Sequence, residues 1–405
     1  MSMSTSATTK ATTSAEPPRL FGSASRWVTL AIGMAAVIAF FSIAGEDWLT
    51  IVNYTMIAAI AALALNVLSG YTGQLSLGIA FFMAIGAYTA AWLGGDIPTS
   101  AHDPIGLGLP FFIWLPAAGI TAALAGALIG PTALRLKGFY LGIVSLSLVF
   151  IGHYIFVNAS GLTGGPQGRT FPAPTFGDVS LAEQNDFFGV ALTSGQQFFL
   201  LMLPILVLSA LFVGNVMRSR AGRAFQAVRD NEVGAAIMGV NLFEAKMGAF
   251  ILSSFLAGIA GALFASYSRY VVPNYWDLAL SIQFVAAIIV GGIASVWGSI
   301  LGAAFVFALP RLIDQFSLLP QSTTGGPGLE SGDLNALIYG LLIVVFLLFE
   351  PEGVIGLVRR SQLFSRMFKT HGGGGEPAEI TDLPASDPAA QLNVERSGPT
   401  TGENT

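Results

Sequence analysis

Asn66, Gln74 and Ser76 are the side chains of this sequence best suited to act on a small molecule. They fall in NVLSGYTGQLSLG, residues 66–78, a polar and glycine-rich interruption between two long apolar runs. Amides and a hydroxyl make hydrogen bonds and break no covalent ones, so their chemistry is to hold the charged ends of a small zwitterion, helped by any helix ends that the interruption frees. A second interruption, GGIASVWGSILG at 291–302, contains Gly292. Breaks of this kind in both halves of an apolar chain point to a passage through a membrane. Gly70, Gly73 and Gly292 also fit plain tight turns between spans. For Asn66, Gln74 and Ser76 the working role is favoured, because polar groups near lipid must find partners.

Other chemistries lack their residues. There is no cysteine, hence no disulfide framework, thiolate nucleophile or thiolate metal site. No carboxylate pair, metal-ligand cluster or nucleophile with its base is apparent, so no catalytic residue, metal site or cofactor is expected. GGPQGRT at 164–170 has a phosphate-loop look, but it lacks the lysine and the spacing. His153 is the one titratable group inside an apolar run, and a lone histidine there is more often a packing residue than a proton relay. Asn158-Ala-Ser160 matches a glycosylation acceptor, a triplet common by chance.

The most densely charged stretch before the tail is MRSRAGRAFQAVRDNEVGAAIMGVNLFEAK, residues 217–246. It cannot sit in lipid, and Arg218, Arg220, Arg223 and Arg229 mark it as cytoplasmic. Two short helices are expected in it. The first places Ala221, Ala224, Phe225 and Val228 on one face. The second is capped by Asp230 or Asn231, carries a stripe of Val233, Ala236, Ile237 and Val240, and ends at Gly239. Spacing alone leaves two readings open: a helix displayed for docking into a groove on a soluble partner, or an ordinary basic loop that only fixes topology.

These stretches need a scaffold, and composition says which. Of 405 residues 53% are apolar and 10% charged, with net charge −5, and the mean hydropathy is +0.69. That is a polytopic membrane protein, all-α in class, with no basic balance to suggest nucleic acid. Spans of crossing length are expected at 27–44, 51–68, 75–93, 110–129, 139–157, 198–216 and 247–267. Two short ones divide 278–313, and one more covers 334–349, about ten in all. With the amino terminus inside, 15 of the 18 lysines and arginines fall on the inner side, leaving Arg169, Arg269 and Arg311. Both termini are then cytoplasmic, and residues 1–26 and 358–405 read as disordered tails. Small residues recur at helix-packing intervals, as at Ala118, Ala122, Gly126 and Gly130, at Ala257 and Gly261, and at Gly298 and Gly302. The assigned spans hold no Asp, Glu, Lys or Arg unless extended to Arg311. That argues against proton or sodium coupling and leaves the energy to another polypeptide.

At this point the residues resemble a known family. LNVLSGYTGQLSLG from Leu65, LRLKGFYLGIVSL from Leu134 and LTGGPQG from Leu162 are similar to the permease subunits of branched-chain amino acid ABC importers, closer to the larger, M-type of the two. SRAGRAFQAVRDNEVGAAIMGVN looks like that family's ATPase-coupling loop, and GGIASVWGSILGAAFVFALP and FEPEGVIGL from Phe349 extend the match across residues 50–357. The resemblance implies a non-catalytic permease domain over residues 27–357 in a prokaryotic plasma (inner) membrane. Its implied partners are a second permease subunit, two cytoplasmic ABC ATPase subunits and an extracytoplasmic solute-binding protein. It implies that Arg229, Glu232, Ala235, Met238 and Gly239 meet the ATPase. The sequence departs from the family pattern at Phe150 and His153, where an acid and an arginine are frequent, at Phe139 within Gly138-Phe139-Tyr140, and at Glu350. Related permeases carry urea, amides or other small metabolites, so the solute is expected to be a branched-chain amino acid or a small polar relative. A uniporter or channel without an ATPase is the alternative.

Overall fold

A helix that is apolar on every side must be kept from water, inside the protein or in lipid. Residues 46–71 meet that condition at the centre of the computed structural model. The structure describes residues 44–95, 106–133, 139–171, 173–176, 179–181, 183–187 and 190–315, together with positions 41, 340, 341 and 344. α1 (Glu46–Leu65) runs without a gap into a π-helical turn, Asn66–Tyr71, and 83% of its most apolar stretch is buried. Around it lie α2 (Ile79–Gly94), α3 (Phe111–Ala133), α4 (Phe139–Asn158), the single turn α5 (Ser160–Thr163) and α6 (Ser194–Arg218). Two short helices follow, α7 (Arg220–Asp230) and α8 (Glu232–Ile237), and then α9 (Leu242–Ser268), α10 (Leu278–Gly291) and α11 (Val296–Gln315).

α9 is the second axis of the bundle. Its 27 residues reach about 40 Å and pack against α1, α2 and α3, while α1 also meets α6 and α11. Lipid gives helices no hydrophobic reason to associate, so small residues that let backbones touch carry the packing. The expected small-residue faces do meet other helices. Ala118 and Ala122 of α3 lie against Gly258 of α9, Gly126 against Ser254, and Gly298 and Gly302 against the end of α10. A Cβ added to Gly261 would stand 1.9 Å from the Met83 carbonyl oxygen. We therefore expect Gly261→Val to force α9 off α2 and destabilise the protein by about 3 kcal/mol, read as a lowered unfolding temperature in detergent; an unchanged temperature would show that this contact yields freely. On the outer helices large apolar side chains such as Leu128, Phe150 and Leu208 face away from the protein, as a lipid-facing surface requires.

Among the described residues six helices are long and apolar enough to cross a membrane, and α2 and the apolar part of α11 are shorter. Together they account for eight of the ten expected spans, and the division of 278–313 falls between Gly291 and Val296. The expected spans at 27–44 and 334–349, apart from Phe41, Ala44, Gly340, Leu341 and Val344, and both tails lie outside the described residues. Two expectations need correction. The expected span from residue 75 becomes helical only at Ile79, because residues 72–78 are held in a non-helical path by serines. Ser145 Oγ accepts from Leu77 N at 2.8 Å and Ser281 Oγ from Ala80 N at 3.3 Å. The class is also not purely helical. Among the described residues there are three two-stranded antiparallel ribbons, two within residues 175–192 and one pairing β1 (Arg169–Thr170) with β6 (Tyr270–Val271). The others pair β2 (Thr175–Phe176) with β3 (Val179–Ser180), and β4 (Asn185–Phe187) with β5 (Val190–Leu192).

Candidate functional site

The two glycine-rich interruptions come together. Asn66, fully buried where α1 becomes the π turn, donates from Nδ2 to the Ser295 carbonyl at 2.9 Å and to Ser299 Oγ at 2.6 Å. Its Oδ1 accepts from the Ala294 amide at 2.9 Å. One amide thus pins the first break to residues 294–299, at the joint between α10 and α11. Gly70 makes room for it, since a Cβ there would fall 1.7 Å from Asn66 Oδ1. The joint itself is bent by Gly292 at φ +112° and by Ala294 at φ +58°, a left-handed conformation that costs an L-residue about 1 kcal/mol and is held here by the Asn66 bond. Asn66 therefore spends both donors inside the protein. Through these bonds it clasps the two breaks together.

Gln74 and Ser76 follow in the non-helical stretch, both buried. Ser76 Oγ accepts from Gly78 N at 3.3 Å, a local turn contact. Gln74 Nε2 donates to the Lys246 carbonyl at 3.3 Å, while among the described residues its buried Oε1 has no donor. Gly73, at φ +71°, presses against Arg229, whose Cγ would lie 3.2 Å from a Cβ on that glycine. The end of the bundle that holds both breaks is thus also the end that carries α7 and α8.

That loop folds as two helices, with one face turned from the expected one. On α7 the buried side is Gly222, Phe225 and Val228, and Ala221 is exposed. α8 is capped by Asn231, whose side chain accepts from Gly234 N at 2.9 Å, and the chain leaves it through Gly239 at φ +84°. Asn241 then caps α9 by accepting from Phe243 N and Glu244 N. On α8 Ala235 is buried, whereas Val233, Ile237 and Met238 are 70%, 79% and 85% exposed. Val240, expected in the stripe, is half-buried, and Met238 takes its place at the surface. The five residues read as the partner contact therefore divide. Met238 and Gly239 face out, Ala235 faces in, Glu232 pairs with Lys246, and Arg229 leans on Gly73. Sequence reasoning missed Lys246, Ser295 and Ser299; the last two sit four apart at the head of α11, a spacing that puts both on one side of a helix.

At the opposite end, a cavity of about 300 Å³ opens between α1, α6 and α9. It is lined by Glu46, Tyr54, Ser194, Phe198, Tyr267 and Arg269, so a carboxylate and a guanidinium face the same aromatic-walled space. Arg311 lies behind it, stacked 3.9 Å from the centre of the Tyr54 ring. His153 is half-buried on α4, away from both breaks in sequence and in element.

A bundle of apolar helices with two of them broken and clasped at one depth, and a capped helix displayed on a charged loop beside the clasp, defines a polytopic membrane permease. Comparison with known proteins gives the family. The family described as branched-chain amino acid transport system / permease component matches residues 48–347. The high-affinity branched-chain amino acid transport system permease protein LivM of Salmonella typhimurium is 32% identical over 322 residues, covering 76% of this chain and 70% of that protein. The Escherichia coli protein of the same name matches to the same extent, and a probable branched-chain amino acid transport permease protein LivM of Methanocaldococcus jannaschii is 24% identical over 321 residues. No solved structure matches the chain. The chain belongs to the branched-chain amino acid ABC transporter permease family.

Proposed function

We propose that this chain is the membrane-spanning, non-catalytic subunit of an ATP-driven importer, working with a second permease subunit, two cytoplasmic ATPases and an extracytoplasmic solute-binding protein in a prokaryotic inner membrane. Its solute is a branched-chain amino acid, as the names of the LivM relatives suggest, or a small polar relative of one. Over 121 residues the chain is also 36% identical to the autoinducer 2 import system permease protein LsrC of Klebsiella pneumoniae, a permease named for a different cargo. About ten spans with both termini cytoplasmic put α7 and α8 inside the cell and the Glu46–Arg269 cavity outside. There a zwitterion delivered by the binding protein finds Glu46 for its ammonium group, Arg269 for its carboxylate and Phe198 for an aliphatic side chain. ATP binding and hydrolysis in the partners move α8, and the clasped breaks around Gln74 and Gly292 alternate between outward and inward access.

The observation that carries this reading is the outer face of α8. Val233, Ile237 and Met238 expose apolar surface on a charged loop, a poor arrangement for water and a good one for a groove. Affinity purification of the full chain in mild detergent from cells expressing the neighbouring subunits is expected to bring down the ATPases. Ile237→Asp, which buries a charge in that groove, is expected to reduce their recovery at least tenfold with normal membrane insertion. A chain that transports solute alone, with no ATPase recovered, would instead be a uniporter or channel.

A further inference from the structure

Lys246 lies in the second turn of a membrane helix with a side chain only 11% exposed. A cation so far out of water is kept where it is paired. Its Nζ donates to Glu232 Oε1 at 2.5 Å, and Glu232 is the first residue of α8, fourteen positions earlier in the chain. The carbonyl of the same lysine accepts from Gln74 Nε2. Lys246 thus touches the displayed helix with its side chain and the first break with its backbone. α8 is a six-residue helix between Asn231, extended at φ −159°, and Gly239 at φ +84°, and besides the packing of the buried Ala235 this bond is what ties it to the bundle. From Gln74 the contact set continues through the non-helical stretch and the π turn to Asn66, and so to Ala294, Ser295 and Ser299 at the second break.

Resting on the importer reading above, we infer that Glu232, Lys246 and Gln74 form a strut that carries displacement of α8 to both helix breaks. They act as positioning residues and touch neither ATP nor solute. Glu232, which the family resemblance assigns to the ATPase contact, then works from the inner side of α8, gripping the permease while Ile237 and Met238 meet the partner. Arg229 against Gly73 is the second point of this grip, and it keeps residues 73 and 74 from sliding along α7.

A pathway of this kind is established by coupling between sites and not by proximity. The assembled transporter, reconstituted in proteoliposomes with its binding protein and leucine as the probe solute, reports solute taken up per ATP hydrolysed. Lys246→Met and Glu232→Gln are each expected to lower that ratio at least tenfold while ATPase recovery stays within twofold of the unmutated chain. The Lys246→Met/Glu232→Gln double variant is expected to be no worse than the poorer single, because both remove one bond. Lys246→Arg keeps the pair and the ratio, and Gln74→Leu lowers the ratio at least threefold without affecting ATPase recovery. An unchanged ratio in Lys246→Met overturns the strut. So does loss of assembly in both Lys246→Met and Glu232→Gln, which would make the pair a folding contact. If the unmutated chain recovers no ATPase at all, the importer reading itself fails, a result that no variant ratio can mimic.

Discussion

Asn66→Leu is expected to damage both the stability of the bundle and its transport. Leucine fits the volume but leaves the half-buried Ala294 amide without its acceptor and removes two donors aimed at Ser295 and Ser299. The Ser299 hydroxyl already donates to the Ser295 carbonyl at 3.0 Å, which softens the loss on that side. The Ala294 amide has no such substitute, and its residue sits at φ +58°, so the joint should relax once the bond is gone. Leaving one half-buried donor unmade and losing two further bonds amounts to about 3 kcal/mol. We expect a fall of roughly 5 °C or more in unfolding temperature and loss of at least nine-tenths of solute uptake. Gly70→Ala should give the same phenotype from the other side, since its methyl would occupy the site of Asn66 Oδ1. Normal uptake and an unchanged unfolding temperature in both variants would show that the two breaks are not clasped.

How much of this was legible beforehand follows the range of the forces. Local chemistry was read well. Asn231 and Gly239 bracket α8 because a cap and a left-handed exit are decided within one turn of chain, and the division of 278–313 followed from Gly291 and Gly292 for the same reason. The pairing of the breaks was not legible, because Asn66 and Ser295 are 229 residues apart and nothing local distinguishes an amide that faces solute from one that faces another helix. Lys246 was counted as one more basic residue of a cytoplasmic loop, and charge counting cannot tell a solvated lysine from one turned inward onto Glu232. The stripe on α8 was misplaced toward Val240 because a six-residue helix ends before its periodicity does. Past Ile237 the chain turns, and Met238 rather than Val240 reaches the surface. The ribbons were missed because strands of two or three residues carry no alternation to read.

The largest functional effect is expected at Gly239, and the reasons divide cleanly between its two roles. Its amide donates to the Ala236 carbonyl at 3.0 Å, and its φ of +84° turns the chain out of α8 toward the Asn241 cap of α9. Alanine has space, since nothing lies within 4 Å of its Cβ, but it pays about 1 kcal/mol for the left-handed conformation; uptake should fall only a few-fold. Proline can do neither job: its ring fixes φ near −65° and it has no N–H to give. Gly239→Pro should therefore unwind the last turn of α8 and redirect Ile237 and Met238, lowering uptake at least a hundredfold. Insertion should be spared, because Gly239 is exposed and the buried contacts of α9 begin at Ala245, beyond a cap that the substitution does not reach. Uptake assays on intact cells, with the amount of protein in the membrane measured alongside, separate these effects. A proline variant that inserts, binds ATPase and transports normally would show that α8 is not the element through which the permease is driven.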